Sequence, residues 1–194
     1  MDGSIALCVA SMKCVRVSAD FMFDFERVPV EVVESTSAVL SLESQSWVTW
    51  RCVGGLFVVF AQWRGRTCCY FPDINEYYFP SPPYVLPAGV KDGVAVIGQF
   101  ICDVNGDERV HRVLLFDCSC GSSVEDRYTI LRSLFRDHCT NGVFVVQWVG
   151  YWDSLQALLR DPVTFGVYHG IRGVVSLDTS RAMVIRTFEC EGDP

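Results

Sequence analysis

The chain has 194 residues, half of them hydrophobic and 13% aromatic, so it holds enough apolar mass for a sizeable core, and disorder is excluded. Its net charge of −7 excludes a broad basic field for sequence-independent binding along a nucleic-acid backbone, and its longest apolar runs are far too short for a membrane span. No basic stretch precedes an apolar one at the start, so no signal peptide is expected.

In chain order, β-branched, aromatic and aliphatic runs predict strands at 5–10, 47–53, 56–63, 66–71, 94–104, 110–118, 143–150, 171–177 and 182–188. Turn residues separate several of them. Gly54-Gly55, Arg64-Gly65, Asn105-Gly106 and Asp178-Thr179-Ser180 mark reversals, and the first and third of these suit hairpins. A helix is expected around 35–43. The segment 72–89 holds five of the eight prolines and reads as an irregular loop. Ser122-Ser123-Val124-Glu125 has the form of a capping box. Beyond it Val124, Tyr128, Leu131 and Phe135 share a helical face, with Ile130 and Leu134 beside them. A second helix over 151–160 turns Trp152, Leu155, Leu158 and Leu159 inward and stops at Asp161-Pro162. The expected class is α+β, one domain of mainly antiparallel, twisted sheets with a few packed helices.

Ten cysteines in a chain of this length, several inside strand-like runs, read as free thiols in a reducing compartment, cytoplasm or nucleus. Cys118-x-Cys120 with His138-Cys139 matches no standard zinc spacing, so no metal is expected. The three histidines show no nucleophile–base spacing, so no triad is expected. Of sixteen cationic side chains only Lys13 and Lys91 are lysines. Arginine suits forked phosphate recognition, whereas lysine can act as a nucleophile.

Four stretches, SWVTWRCVGGLFVVF at 46–60, VIGQFICDV at 96–104, VHRVLLFDCSCG at 110–121 and GIRGVVSLDTSRAMVIRTFE at 170–189, stand in the order of the signature blocks of the covalent nucleotidyltransferases. The chain thus resembles the messenger RNA capping guanylyltransferases and nucleic-acid ligases over residues 46–189, without an OB-fold lobe. The resemblance places Arg51 at the position of the nucleophilic lysine. An arginine stays protonated and cannot form the phosphoramidate. Lys13 and Lys91 are the conceivable substitutes. Gln99 takes the place of the ribose-binding glutamate, Arg172 that of a metal-binding carboxylate, and Arg186 that of a phosphate-binding lysine. Val113-Leu114-Leu115-Phe116-Asp117 keeps the family pattern, which makes Phe116 a base-stacking platform by resemblance.

The branch that has lost the same residues is the cap-binding domain of snurportin, to which Trp47–Thr67 is similar. There the cap base stacks on tryptophan, and Trp47 matches one such position; the second has no tryptophan counterpart here. The resemblance implies a non-catalytic module that recognises a guanine nucleotide or capped RNA 5′ end through Trp47, Arg51, Gln99, Phe116, Arg172 and Arg186, with no cofactor. The alternative is a catalytically dead pseudo-guanylyltransferase, a structural or regulatory subunit with protein partners in an RNA-processing or transport complex. Trp47, Trp50, Trp63, Trp148 and Trp152 equally suit the core of a β-rich fold.

Overall fold

The computed structural model describes residues 15–16, 30–34, 42–52, 55–80, 84–91, 93–105, 108–136, 143–160 and 171–189. The strands are β1 (Val15–Arg16), β2 (Glu31–Glu34), β3 (Trp47–Cys52), β4 (Leu56–Trp63), β5 (Arg66–Phe71), β6 (Glu76–Phe79), β7 (Ala95–Asn105), β8 (Glu108–Cys118), β9 (Phe144–Val146), β10 (Gly150–Tyr151), β11 (Ile171–Leu177) and β12 (Val184–Glu189). The helices are α1 (Val124–Phe135) and α2 (Trp152–Leu159). One sheet has the order β1-β6-β5-β4-β7-β8-β9, the other β10-β3-β11-β12-β2. All pairings are antiparallel except β8 with β9 and β12 with β2. The expected α+β class is what the structure shows.

Three layers of apolar contact hold these elements. Alternate residues of β4 point to opposite sides: Leu56, Val58 and Phe60 join Leu131 and Phe135 of α1. Phe57, Val59 and Ala61 instead meet Val175, Leu177 and Ile185 of the second sheet and Met183 just before β12. The far face of that second sheet, with Val48, Trp50, Cys52 and Val174, is covered by Trp152 and Leu155 of α2.

The hairpins follow their turn residues where those residues supply the needed backbone. Arg64 (φ 48°) and Gly65 (φ 73°) form the two-residue link of the β4–β5 hairpin, both in the left-handed region such a link requires. Asn105 pairs with Glu108, so β7 and β8 form the hairpin expected at Asn105-Gly106. Gly54-Gly55 does not make one. β3 and β4 belong to different sheets, and the chain crosses between layers there.

Other boundaries move for local reasons. The proline-rich segment contains β6, which pairs with β5, because Glu76–Phe79 between its prolines is free of them. The single strand expected at 143–150 is split into β9 and β10, one in each sheet. The N-cap of α1 is Ser123, one residue later than the capping-box reading, and its hydroxyl accepts from the Asp126 N–H at 3.1 Å. In α2, Trp152 and Leu155 are buried while Leu158 and Leu159 are half-buried. The expected strand at 5–10, almost all of the helix expected at 35–43, and Asp161-Pro162 lie outside the described residues, and β1 and β2 are strands that the residue pattern did not suggest.

Candidate functional site

The blocks singled out in the sequence lie on β3, β7, β8, β11 and β12, and the two sheets bring these strands face to face. On β3 the side chains alternate. Trp47, Thr49 and Arg51 point toward the first sheet, and Val48, Trp50 and Cys52 toward α2. Arg51 is half-buried, with its Cζ 5.0 Å from the centroid of the Phe57 ring, a cation–π contact. Phe57 meets Phe116 edge-on at 6.2 Å. Arg51, Phe57 and Phe116 therefore do cluster at the inter-sheet junction.

Phe116, however, is only 1% exposed. It is the extra residue where the β7–β8 register shifts, since Ile97 pairs with Asp117 and Gly98 with Leu115. The bulge turns its ring into the inter-sheet core. The expectation of a base platform at Phe116 is corrected on this ground: both its faces are committed to protein.

Gln99 is corrected in the same way. It is fully buried; its Oε1 accepts from the Cys52 N–H at 2.8 Å, and its Nε2 donates to the Trp50 carbonyl at 2.9 Å. It also donates to Gln147 Oε1 at 3.1 Å, and Gln147 in turn donates to the same Trp50 carbonyl at 2.8 Å. These bonds tie β7 of one sheet to β3 of the other, so Gln99 is a tie between layers, not a ribose ligand.

Arg51 and Arg186 are not brought together. Arg51 stands in a row with Gly173 and Glu189, whereas Arg186 stands in a row with Ser176 and Val48. Rows an odd number of residues apart point to opposite faces, so Arg51 faces the first sheet and Arg186, which is exposed, faces away from it. Two arginines so placed cannot clamp one phosphate chain, and the expected pairing is corrected. The backbone of Arg172 sits at the register shift of β11 between Ile171 and Gly173; its side chain lies outside the description.

Trp47 is half-buried at the opposite end of β3. Its cross-strand partner Tyr151 is 45% exposed, and their rings lie 4.6 Å apart at 45°. The sequence reading overlooked Tyr151. The signal was present, an aromatic residue just before the second helix, but its pairing with Trp47 is decided by β10 reaching the second sheet. Between Trp47 and Arg51, Thr49 is fully buried and donates to the Trp148 carbonyl at 2.6 Å. Trp50 stacks on Trp148 at 6.2 Å in the layer under α2, and Trp152 is buried there too, the core role open to each of them. Lys91 is exposed just before β7; Lys13 lies outside the described residues.

The largest polar feature that sequence reasoning missed is the Asp117–Arg127 ion pair, whose Oδ1 and Nε are 2.8 Å apart. Asp117 also accepts from the Met183 and Cys118 N–H groups, and Arg127 donates to the Asp178 carbonyl at 2.7 Å. Burial pushes the Asp117 carboxyl up, against the lowering effect of the Arg127 guanidinium and the N–H donors. Beside it, burial pushes the Cys118 thiol up to about 12; its Sγ lies 3.2 Å from the Cys120 carbonyl and 3.3 Å from the Arg127 carbonyl. Cys52, Cys68, Cys69, Cys102, Cys118 and Cys120 are free thiols. Among the described residues no three His, Cys, Asp or Glu side chains converge, and no helix is long and apolar enough to cross a membrane.

Comparison with protein-family models and with curated proteins gives no match. Among solved structures, the chain is similar to a mycobacterial DNA ligase D complexed with ATP and MES, with 12% identity and a TM-score of 0.48 over 82% of this chain and 60% of that one. It is likewise similar to the ligase domain of M. tuberculosis LigD, with 15% identity and a TM-score of 0.47 over 86% of this chain and 62% of that one. The chain thus spans about six tenths of the length of these structures.

Proposed function

We propose that this chain is a nucleotidyltransferase-like domain without nucleotidyl-transfer activity, acting as a structural or regulatory subunit of an RNA-processing assembly. The order of the blocks and their gathering on facing strands support the first half of this reading. The observation that supports the loss of nucleotidyl transfer is Arg51. A permanently charged side chain stands where the reaction needs a deprotonable amine, and its guanidinium covers the ring of Phe57. Around it Phe116, Gln99 and Thr49 fill the junction between the sheets.

The Trp47–Tyr151 pair favours a second reading, recognition of a guanine nucleotide or capped RNA 5′ end. These partly exposed aromatic rings offer a stacking ledge at the edge of the second sheet, separate from the filled junction. Calorimetric titration with GTP and with mono- and trimethylated cap analogues decides between the two. Absence of saturable binding up to millimolar ligand is the outcome expected for a structural subunit. Saturable binding that weakens about 5- to 150-fold in Trp47→Ala, the range set by one lost base–aromatic stack, replaces it with the second reading.

A further inference from the structure

On the outer flank of α1, away from the inter-sheet junction, a pocket of about 530 Å³ opens between the helix and β9. Tyr128, Thr129, Arg132, Ser133 and Arg136 form its helical wall, and half-buried Val146 of β9 forms its apolar side; the Phe135 side chain points into the core behind it. Arg132 and Arg136 are four residues apart, so they leave the same side of the helix about 6 Å from each other along its axis. Both are exposed, and among the described residues neither is in an ion pair. The Cζ of Arg132 lies 5.9 Å from the Tyr128 ring centroid, which restrains one of the two forks.

Two guanidinium groups without an ion-pair partner among the described residues, lining one pocket, are notable in a chain of net charge −7. Like charges one turn apart on a helix repel, and a bound anion relieves that repulsion. The hydroxyls of Thr129 and Ser133 add donors on the adjoining row of the helix. The volume falls within the range of roughly 300–1,000 Å³ that holds small ligands. A single phosphate engages one guanidinium fork; a diphosphate presents two anionic groups spaced to meet both.

We propose that this pocket binds a small molecule carrying a diphosphate group, with Arg132 and Arg136 each holding one phosphate and Val146 contacting its organic part. The site is independent of the inter-sheet junction and stands whether or not the chain recognises a cap.

The test is calorimetric titration of the full chain with inorganic pyrophosphate, in parallel with orthophosphate and sulfate, at low salt and at about 0.15 M salt. Saturable one-to-one binding of pyrophosphate, tighter than of the two single anions, is expected. It should weaken about tenfold or more in the double variant Arg132→Gln/Arg136→Gln, the loss of two charge-assisted contacts. Arg160→Gln, at the C-cap of α2, should leave it unchanged. Denaturant unfolding of the double variant verifies that it is folded, and Arg136→Gln alone, which leaves the Tyr128 contact intact, serves should the double variant be unstable. No saturable binding by the wild type, equal affinity for the single anions, or undiminished binding in the variants would overturn the proposal.

Discussion

Asp117 and Arg127 form an ion pair with Nε 2.8 Å from Oδ1, both side chains 1% exposed. This contact fastens α1 to β8. Through Met183 N–H and the Asp178 carbonyl it also fastens both to the turn that joins β11 and β12. Breaking it leaves a charge stranded between the sheets. Arg127→Ala or Asp117→Ala should each destabilise the fold by about 3–5 kcal/mol. The double replacement Asp117→Leu/Arg127→Met should cost clearly less than the sum, because no unpaired charge remains. Urea unfolding of the four proteins measures this, and additive losses would show that the pair is not coupled.

Gly173 lies between Arg51 and Glu189 in the second sheet, and an added Cβ there would run into the Phe188 carbonyl oxygen, a backbone atom that cannot rotate away. Gly173→Ala should cost about 1–3 kcal/mol. At Gly89 the added Cβ would meet the end of the Leu134 side chain, which can change rotamer, so Gly89→Ala should cost clearly less. Thermal unfolding of both variants provides the comparison; equal losses would contradict the tight approach of β11 to β12.

The Cys118 thiol is raised from its ordinary value of 9.0 to about 12 by burial. The folded state therefore keeps a proton that the unfolded state releases above pH 9. The stabilisation from this group is fully present below pH 9 and is lost as pH rises from 9 toward 12, with a limiting slope of about 1.4 kcal/mol per pH unit. Between pH 8 and pH 10.5 the wild type should lose more stability than Cys118→Ala. Identical pH slopes from denaturant titrations would remove the assignment. In the native protein at pH 8, Cys118 should also resist alkylation longer than half-buried Cys102.

The proposed placement of Arg51 at the nucleophile position predicts that incubation with labelled GTP or ATP and magnesium or manganese should leave no acid-stable protein–nucleotide adduct. A labelled band that disappears in Lys13→Ala or Lys91→Ala would reverse this.

The sequence by itself determined most strands, the Asn105-Gly106 hairpin, the reversal at Arg64-Gly65, helices α1 and α2 and the α+β class. These follow from side-chain alternation, turn chemistry and the apolar stripe, which act within a few residues. It also determined that Arg51 cannot act as a lysine, a matter of covalent chemistry alone. The sequence reading missed Arg127, although a signal for it was present. Arg127 lies on the stripe of Val124, Leu131 and Phe135, and a cation on an apolar stripe calls for a buried anion.

Only the tertiary structure decided which side chains share a face. Phe116 turns inward at a bulge, Arg51 and Arg186 diverge by the parity of rows across three paired strands, and Trp47 meets Tyr151 because β10 changes sheets. Each outcome depends on register, and a slip of one residue reverses every side chain of a strand. For β3 with β10 and β11 the register joins segments more than a hundred residues apart, beyond the reach of any local pattern.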